Sequence, residues 1–172
     1  MKWIKENNEV LFFAKNHELI SLSQKDLKDL QILVKSNDKK RSRICSHGNI
    51  DDDIHEMFIY HPKGTYVRPH KHVVNKESFH LICGKIDFVK FDKIGNITEV
   101  IPMGDYISGK TFYYRISSDI FHTQIFLEDT IFHEVTKGPF KKEDTVFADW
   151  SPDEKDTALV DNYLIKIKKY ST

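Results

Sequence analysis

The sequence predicts a mainly β protein, a sandwich or barrel with one helix on each flank. Three observations carry that expectation. Nine short segments rich in β-branched and aromatic residues run between about Ile54 and Phe147, each ended by turn-forming residues. A capped amphipathic stretch precedes them and another follows. With 40% apolar and 30% charged residues over 172 positions, the chain has the makeup of one soluble globular domain, able to bury a core without staples.

The expected elements fall in three blocks. Residues 1–46 hold two short strands, "EVLFFAK" and "ELISLS", and then a helix. Ser23 opens that helix with Asp26 at its third position, Leu27, Leu30 and Val34 share one face, and the pattern stops near Asn37. Residues 47–150 hold the nine strands, "HEMFIYH", "TYVRPHKH", "SFHLICG", "KIDFVKFD", "TEVIPM", "TFYYRI", "HTQIFL", "DTIFHEVT" and "DTVFAD". Turns such as Pro62-Lys63-Gly64 and Gly138-Pro139 divide them. Residues 151–172 read as a second helix, with Ser151 as cap, Pro152 at the first position and Glu154 closing the capping box. Its apolar stripe is Leu159, Val160, Tyr163, Leu164 and Ile167.

Charge and cysteine content narrow the setting. The 26 basic residues balance the 26 acidic ones, so no overall field draws the protein to DNA or to an anionic membrane. The run Lys39-Lys40-Arg41-Ser42-Arg43 is then a solvated loop rather than a nucleic-acid surface. Nothing resembles a secretion signal, so the expected setting is the cytoplasm, with Cys45 and Cys83 as reduced thiols.

The chemistry concentrates in "GTYVRPHKHVVNKESFHLICG", Gly64 to Gly84. His70 and His72 would point about 200° apart on a helix but share a face on a strand. Pro69 and the surrounding valines favour the strand. Glu77 lies five beyond His72, the wrong parity for one unbroken strand, and "VVNK" supplies a turn that brings it back as the start of the neighbouring strand. Three ligands from one hairpin make a partial cage, and His122, on a much later strand, is the best fourth. Neutral imidazoles and one carboxylate suit one divalent ion, Zn, Fe, Ni, Co or Mn, with positions left for substrate or water. Such a centre carries a net +1 and favours an anionic substrate or a bound hydroxide.

The spacing glycine, five residues, His-x-His, four residues, Glu, six residues, glycine matches the first motif of the cupins. The sequence resembles that superfamily, and within it the WbuC-type cupin fold metalloproteins, from about Arg41 to Glu154. Beside the histidine motif the likeness includes "RSRICSH", "FDKIGNI", "FHT" at His122, "HEVTKGPF" and "FADWSPDE". It implies a cupin double-stranded β-helix, a jelly-roll barrel with an N-terminal and a C-terminal flanking helix. It also implies His70, His72, Glu77 and His122 as metal ligands, and a place among genes of surface-polysaccharide (O-antigen) biosynthesis. The general second cupin motif is not followed in full: Ser117 and Asp119 stand where it has proline and glycine, and Phe126 where it has asparagine.

Strand alternation extends the site. With His70 inward, Arg68 and Tyr66 point inward too, and Arg68 is either a seat for a substrate carboxylate or phosphate or half of a structural salt bridge at the barrel mouth. Gln124 shares the face of His122. Glu134, whose facing is ambiguous in "IFHEV", could orient a metal ligand or act as a base, while Arg41 and Arg43 either reach over the barrel mouth or stay in solvent. Glu77 inward sends Phe79, Leu81 and Cys83 inward and His80 outward; His47, His133 and Tyr60 are weaker candidates. Three functions fit. The first is a metal-dependent isomerase, epimerase or lyase acting on a sugar or sugar nucleotide. The second is a non-haem Fe(II) dioxygenase, and the third is a non-catalytic module binding a sugar or a metal. The expected partner is an anionic or sugar-like small molecule rather than nucleic acid or membrane, and the default assembly is a homodimer.

Overall fold

All nine strands expected between Ile54 and Phe147 form in the computed structural model, which describes residues 3–5, 10–13, 19–35, 37, 40–74, 76–117 and 119–170. The N-terminal elements are β1 (Trp3–Lys5), β2 (Val10–Phe13), α1 (Gln24–Val34) and β3 (Ser42–Cys45). The barrel strands follow as β4 (Ile54–His61), β5 (His70–His72), β6 (Glu77–Cys83), β7 (Lys85–Phe91) and β8 (Ile97–Gly104). After these come β9 (Tyr113–Ile116), β10 (Phe121–Phe126), β11 (Thr130–Lys137), β12 (Thr145–Phe147) and α2 (Thr157–Lys168).

The strands divide into two facing sheets. One runs β1-β2-β3-β4-β11-β6-β9, the other β12-β5-β10-β7-β8. All pairings between these strands are antiparallel except β2 with β3. The period-2 alternation of each strand then decides what lies between the sheets. Met57 and Ile59 of β4, Phe79 and Leu81 of β6, Ile86 and Phe88 of β7, Phe126 of β10 and Phe132 of β11 form the interior core. Phe79 stacks between Tyr114 and Phe132, with ring centroids 4.9 and 4.3 Å away.

The opposite face of each sheet carries a helix. Helix α1 lays Leu30 and Val34 on Ile44, Tyr60 and Ile131. Its start is where the sequence places it: the Asp26 carboxylate accepts from Ser23 N–H and Oγ, both at 2.7 Å. Helix α2 packs Val160, Leu164 and Ile167 on Val89, Phe91 and Ile125 of the five-stranded sheet. Burying each of those aliphatic side chains contributes about 1.5–3 kcal/mol.

Four expectations are corrected. Residues 19–22 of "ELISLS" are irregular rather than a strand. Strand β3 forms inside the supposed basic loop, because Ile44 turns under α1 while Cys45 enters the barrel core. The second helix begins at Asp156, whose Oδ1 accepts from Leu159 N at 3.1 Å, and not at Ser151. Ser151 Oγ instead donates to Ala148 O at 2.8 Å, a local bond, and Pro152 O accepts from Tyr66 OH at 2.9 Å, a tertiary one, and together they hold this stretch out of the helix. Leu159 consequently lies outside the buried stripe and is exposed.

Two glycines fix the ends of the histidine motif. Gly64 and Gly84 have φ of +80° and +98°, a left-handed region that side-chain-bearing residues rarely enter. A Cβ on Gly84 would also lie 2.5 Å from Asp129 O.

Candidate metal centre

His70 and His72 sit at the two ends of the three-residue strand β5, on one face, as their spacing requires. His70 pairs directly with His122 of β10. On β10 alternation sends His122, Gln124 and Phe126 to the interior and Thr123 and Ile125 outward; Ile125 packs beneath α2. Glu77 arrives differently from the expected hairpin. β5 and β6 belong to opposite sheets, so Glu77 reaches the histidines from the facing wall. That change of sheet explains the odd parity, since no single strand has to present all three side chains.

The four side chains converge, with one ligand atom of each lying within 4.8 Å of all the others. His70 Nδ1 lies 2.9 Å from Arg68 O and His122 Nδ1 2.9 Å from Ile120 O. A carbonyl can only accept, so both Nδ1 atoms carry the proton and both Nε2 lone pairs are left for a ligand role. His122 is fully buried, its Nε2 has no hydrogen-bond partner among the described residues, and that atom lies 3.9 Å from Glu77 Oε2. His72 Nε2 is 3.0 Å from the same oxygen. The other carboxylate oxygen, Oε1, accepts from Tyr114 OH at 2.8 Å, and Tyr114 in turn accepts from Gln124 Nε2 at 2.6 Å.

Electrostatics prepare the same atoms for coordination. Burial holds the His70 imidazole down at about 3, reinforced by His122 beside it, so it is neutral. His122 is lowered by burial too. Burial pushes the Glu77 carboxyl up, but the hydrogen bond with His72 and the surrounding imidazoles outweigh it and keep the group ionised. Tyr114, raised far above its ordinary value by burial and then by the Glu77 charge, stays a neutral donor. Two neutral, back-anchored imidazoles, a third imidazole and an oriented carboxylate fit a divalent transition ion, and the buried, unpartnered Nε2 of His122 is what such an ion would satisfy.

The cluster opens on a cavity of about 170 Å³. Arg41, Arg43, Gln124 and Glu134 line it together with His70, His72 and Glu77. The facing of Glu134, ambiguous in "IFHEV", is settled by register: it pairs with Met57 and Phe79, which both turn inward. Burial first, then the Glu77 carboxylate, push its carboxyl up to about 8, against the opposing pull of Arg43. Arg43 projects from β3 with Nη1 3.9 Å from Met57 Sδ.

Arg68 and Tyr66 are not brought to this cavity. The segment before β5 is not a strand, so alternation does not extend back to them. Arg68 instead bonds Asp153 Oδ2 at 3.1 Å and Ser151 Oγ at 3.3 Å, tying the barrel to the segment before α2. Cys83 lies with the cluster beneath α1 rather than in the barrel, because the β6–β11 pairing slips by one residue beside it. His80 is exposed, as its parity requires. His133 stacks on Phe58 at 4.6 Å, His47 stacks on His55 at 4.2 Å, and Tyr60 donates to Asp129, all outside the cavity.

Two residues that sequence reasoning passed over matter here. Tyr114 orients Glu77. His61, buried on the cavity wall against Phe126 and Phe132, has an Nδ1 without a hydrogen-bond partner among the described residues. The signal for His61 was its shared parity with Met57 and Ile59 of the same strand. None existed for Tyr114, whose partner is 37 residues away.

Comparison with known proteins bears on the fold. A family model described as "Domain of unknown function (DUF6016)" matches residues 22–103, just under half of the chain. No curated protein matches in sequence. Among solved structures, a mutant salicylate 1,2-dioxygenase from Pseudoaminobacter salicylatoxidans, in complex with gentisate, aligns with a TM-score of 0.55 at 10% identity, over 74% of this chain and 37% of that one. An oxalate decarboxylase (OxdC) mutant from Bacillus subtilis gives 0.46 at 19% identity, over 57% of this chain and 25% of its own. The Cnp3 cupin domain from Schizosaccharomyces pombe gives 0.43 at 14% identity, over 57% and 64%. The chain thus spans well under half the length of the two enzymes, and at these identities the likeness is one of fold. No described helix is long and apolar enough to cross a membrane. With its two facing sheets and flanking helices, the chain has the cupin jelly-roll fold, and its His70, His72, Glu77 and His122 cluster fits a metal.

Proposed function

We propose that this protein is a metal-dependent enzyme of the WbuC cupin type, acting on a small anionic or sugar-like substrate in surface-polysaccharide biosynthesis as an isomerase, epimerase or lyase. The observation that carries the reading is the joint position of the cluster and of Arg41, Arg43, Gln124 and Glu134 around one cavity. A volume of about 170 Å³ is below the ~300–1,000 Å³ usual for drug-sized ligands, which matches a single sugar ring or small acid at the reacting end. A cytoplasmic setting and a homodimer belong to the same proposal.

His70, His72, Glu77 and His122 would hold the ion, which when bound supplies Lewis acidity toward a substrate carbonyl or hydroxyl. Arg43 and Arg41 would hold the substrate's negative charge and fix its orientation. Glu134, inside the cavity and protonated more readily than an ordinary carboxyl, would give or take the proton next to that carbonyl. Tyr114 and Gln124 keep Glu77 from rotating out of the cluster. Ile59, Val67 and Phe132 supply the apolar part of the wall and limit water around the proton transfer.

The test is elemental analysis of untagged protein purified without chelator, beside His70→Ala. About one transition ion per chain, lost in the variant, is expected. Zinc, nickel, cobalt or manganese leads next to sugar isomerisation assays with Glu134→Gln as control. Iron that consumes O2 with substrate would replace this reaction class by a dioxygenase. Turnover of no sugar by fully loaded protein that still binds one would leave a binding module. No metal, even after reconstitution, overturns the proposal.

A further inference from the structure

A second cavity shares a wall with the first. It measures about 630 Å³, within the usual range for ligand sites, and Arg41 lines both. Its charged lining is Lys40, Arg41, Lys63 and Lys155 against one carboxylate, Glu154. In a chain whose charges balance overall, four cations to one anion in a single concavity is a local concentration of positive field.

The walls are held in place by polar contacts. Asn37, 5% exposed, clamps the Lys40–Arg41 corner: its side chain donates to Arg41 O at 2.9 Å and accepts from Arg41 N at 3.3 Å. Lys40 itself has φ of +51°, one of two left-handed non-glycine residues among those described. On the opposite wall, Asp129 accepts from Lys63 N at 2.9 Å and from Tyr60 OH at 2.9 Å, while Gly64 N donates to Phe126 O at 2.9 Å. The third wall carries Glu154 and Lys155, on the segment anchored by Tyr66 and Arg68. Arg41 Nη1 is 3.6 Å from Glu154 Oε1, a pairing an incoming anion would compete with.

We infer that this basic cavity is a phosphate-binding subsite, seating the phosphate or diphosphate of a substrate whose reacting end lies in the smaller cavity beyond Arg41. The inference rests on the proposed function for its place in catalysis, but phosphate binding here needs no metal. It assigns the substrate to phosphorylated or nucleotide-linked sugars, because the metal cavity alone is too small for the whole of such a molecule. Lysines act as point charges on the phosphate oxygens, and Arg41 offers the planar fork that would bridge the two ends.

Calorimetric titration of metal-loaded protein with inorganic pyrophosphate and with uridine diphosphate, at low ionic strength, tests the subsite. Wild type is expected to bind both. Lys63→Glu with Lys155→Glu should weaken binding about tenfold or more, the effect of reversing two exposed charges. Glu154→Gln should tighten it severalfold by releasing Arg41. Binding should persist in His70→Ala, which removes the cage and not the subsite. Tighter uridine diphosphate than pyrophosphate would add a seat for the nucleoside, and equal affinities would limit the site to phosphate; either supports the subsite. No binding by wild type, equal affinity in the charge-reversal variant, or binding that disappears with His70→Ala would overturn it. Metal content measured on the same samples separates that failure from failure of the cage, and circular dichroism confirms folding of the surface variants.

Discussion

Tyr114→Phe removes one oxygen atom from the buried chain that runs from Gln124 through Tyr114 to Glu77. Two hydrogen bonds are lost, one of 2.8 Å to a carboxylate and one of 2.6 Å from an amide. A hydrogen bond to a charged group contributes about 1.5–3 kcal/mol, and a buried donor left without a partner costs about 1–3 kcal/mol. Volume is nearly unchanged, so the packing of Tyr114 on Phe79 and Phe88 is kept. Two effects are expected. Metal affinity should fall by about 10–100-fold, because Glu77 loses the group that fixes its orientation. A loss of about 2 kcal/mol should lower the melting temperature of the metal-free protein by roughly 4–8 °C in a chain of this size. Competition of zinc or cobalt against a chromophoric chelator reads the first effect, and thermal denaturation followed by circular dichroism reads the second. Tyr113→Phe is the control, since its exposed hydroxyl only meets Ser78 Oγ at 3.3 Å and should change neither quantity. Wild-type metal affinity in Tyr114→Phe would refute the claim that this chain of bonds positions Glu77.

The remaining expectations concern the frame. Gly84→Ala places a Cβ 2.5 Å from Asp129 O at a φ of +98°, so strain and overlap together should cost roughly 2–5 kcal/mol and lower the melting temperature by about 5–15 °C. Gly64→Ala meets nothing within 4 Å and should cost the backbone strain alone; equal losses in the two variants would show that overlap at Gly84 is unimportant. Burial pushes the Cys45 thiol up to about 11 despite Arg43, and raises Cys83 as well. At pH 7.4 both are thiols rather than thiolates in the folded protein, so a disulfide-exchange reagent should label buried Cys45 only in urea and half-buried Cys83 slowly in the native protein; rapid stoichiometric labelling of Cys45 in the native protein would refute its burial.

The nine barrel strands, the start of α1 and the motif that carries His70, His72 and Glu77 were legible in the linear sequence, because each rests on a local physical rule, whereas His122 stood only as the best fourth candidate on a later strand. Alternation marks strands, Ser23 with Asp26 marks a helix start, and His-x-His followed by Glu between two glycines marks a motif whose ends need a left-handed backbone. Alternation also put Gln124 with His122 and turned His80 outward. The rest depended on which strand lies across from which. Parity cannot cross from β5 to the irregular stretch before it, so Arg68 and Tyr66 turned to the C-terminal segment instead of the cavity. The capping signal at Ser151 was overridden by a local bond to Ala148 and by bonds from Arg68 and Tyr66, which lie more than eighty residues away. Glu77 meets the histidines from the opposite sheet, Glu134 faces inward through its register with Met57 and Phe79, and Tyr114 and His61 enter the site by pairings spanning tens of residues. Sequence thus determined which chemistry this chain carries, through short-range sterics and periodicity. The pairing of its two sheets decided which of those groups share one cavity, because only long-range register sets their distances.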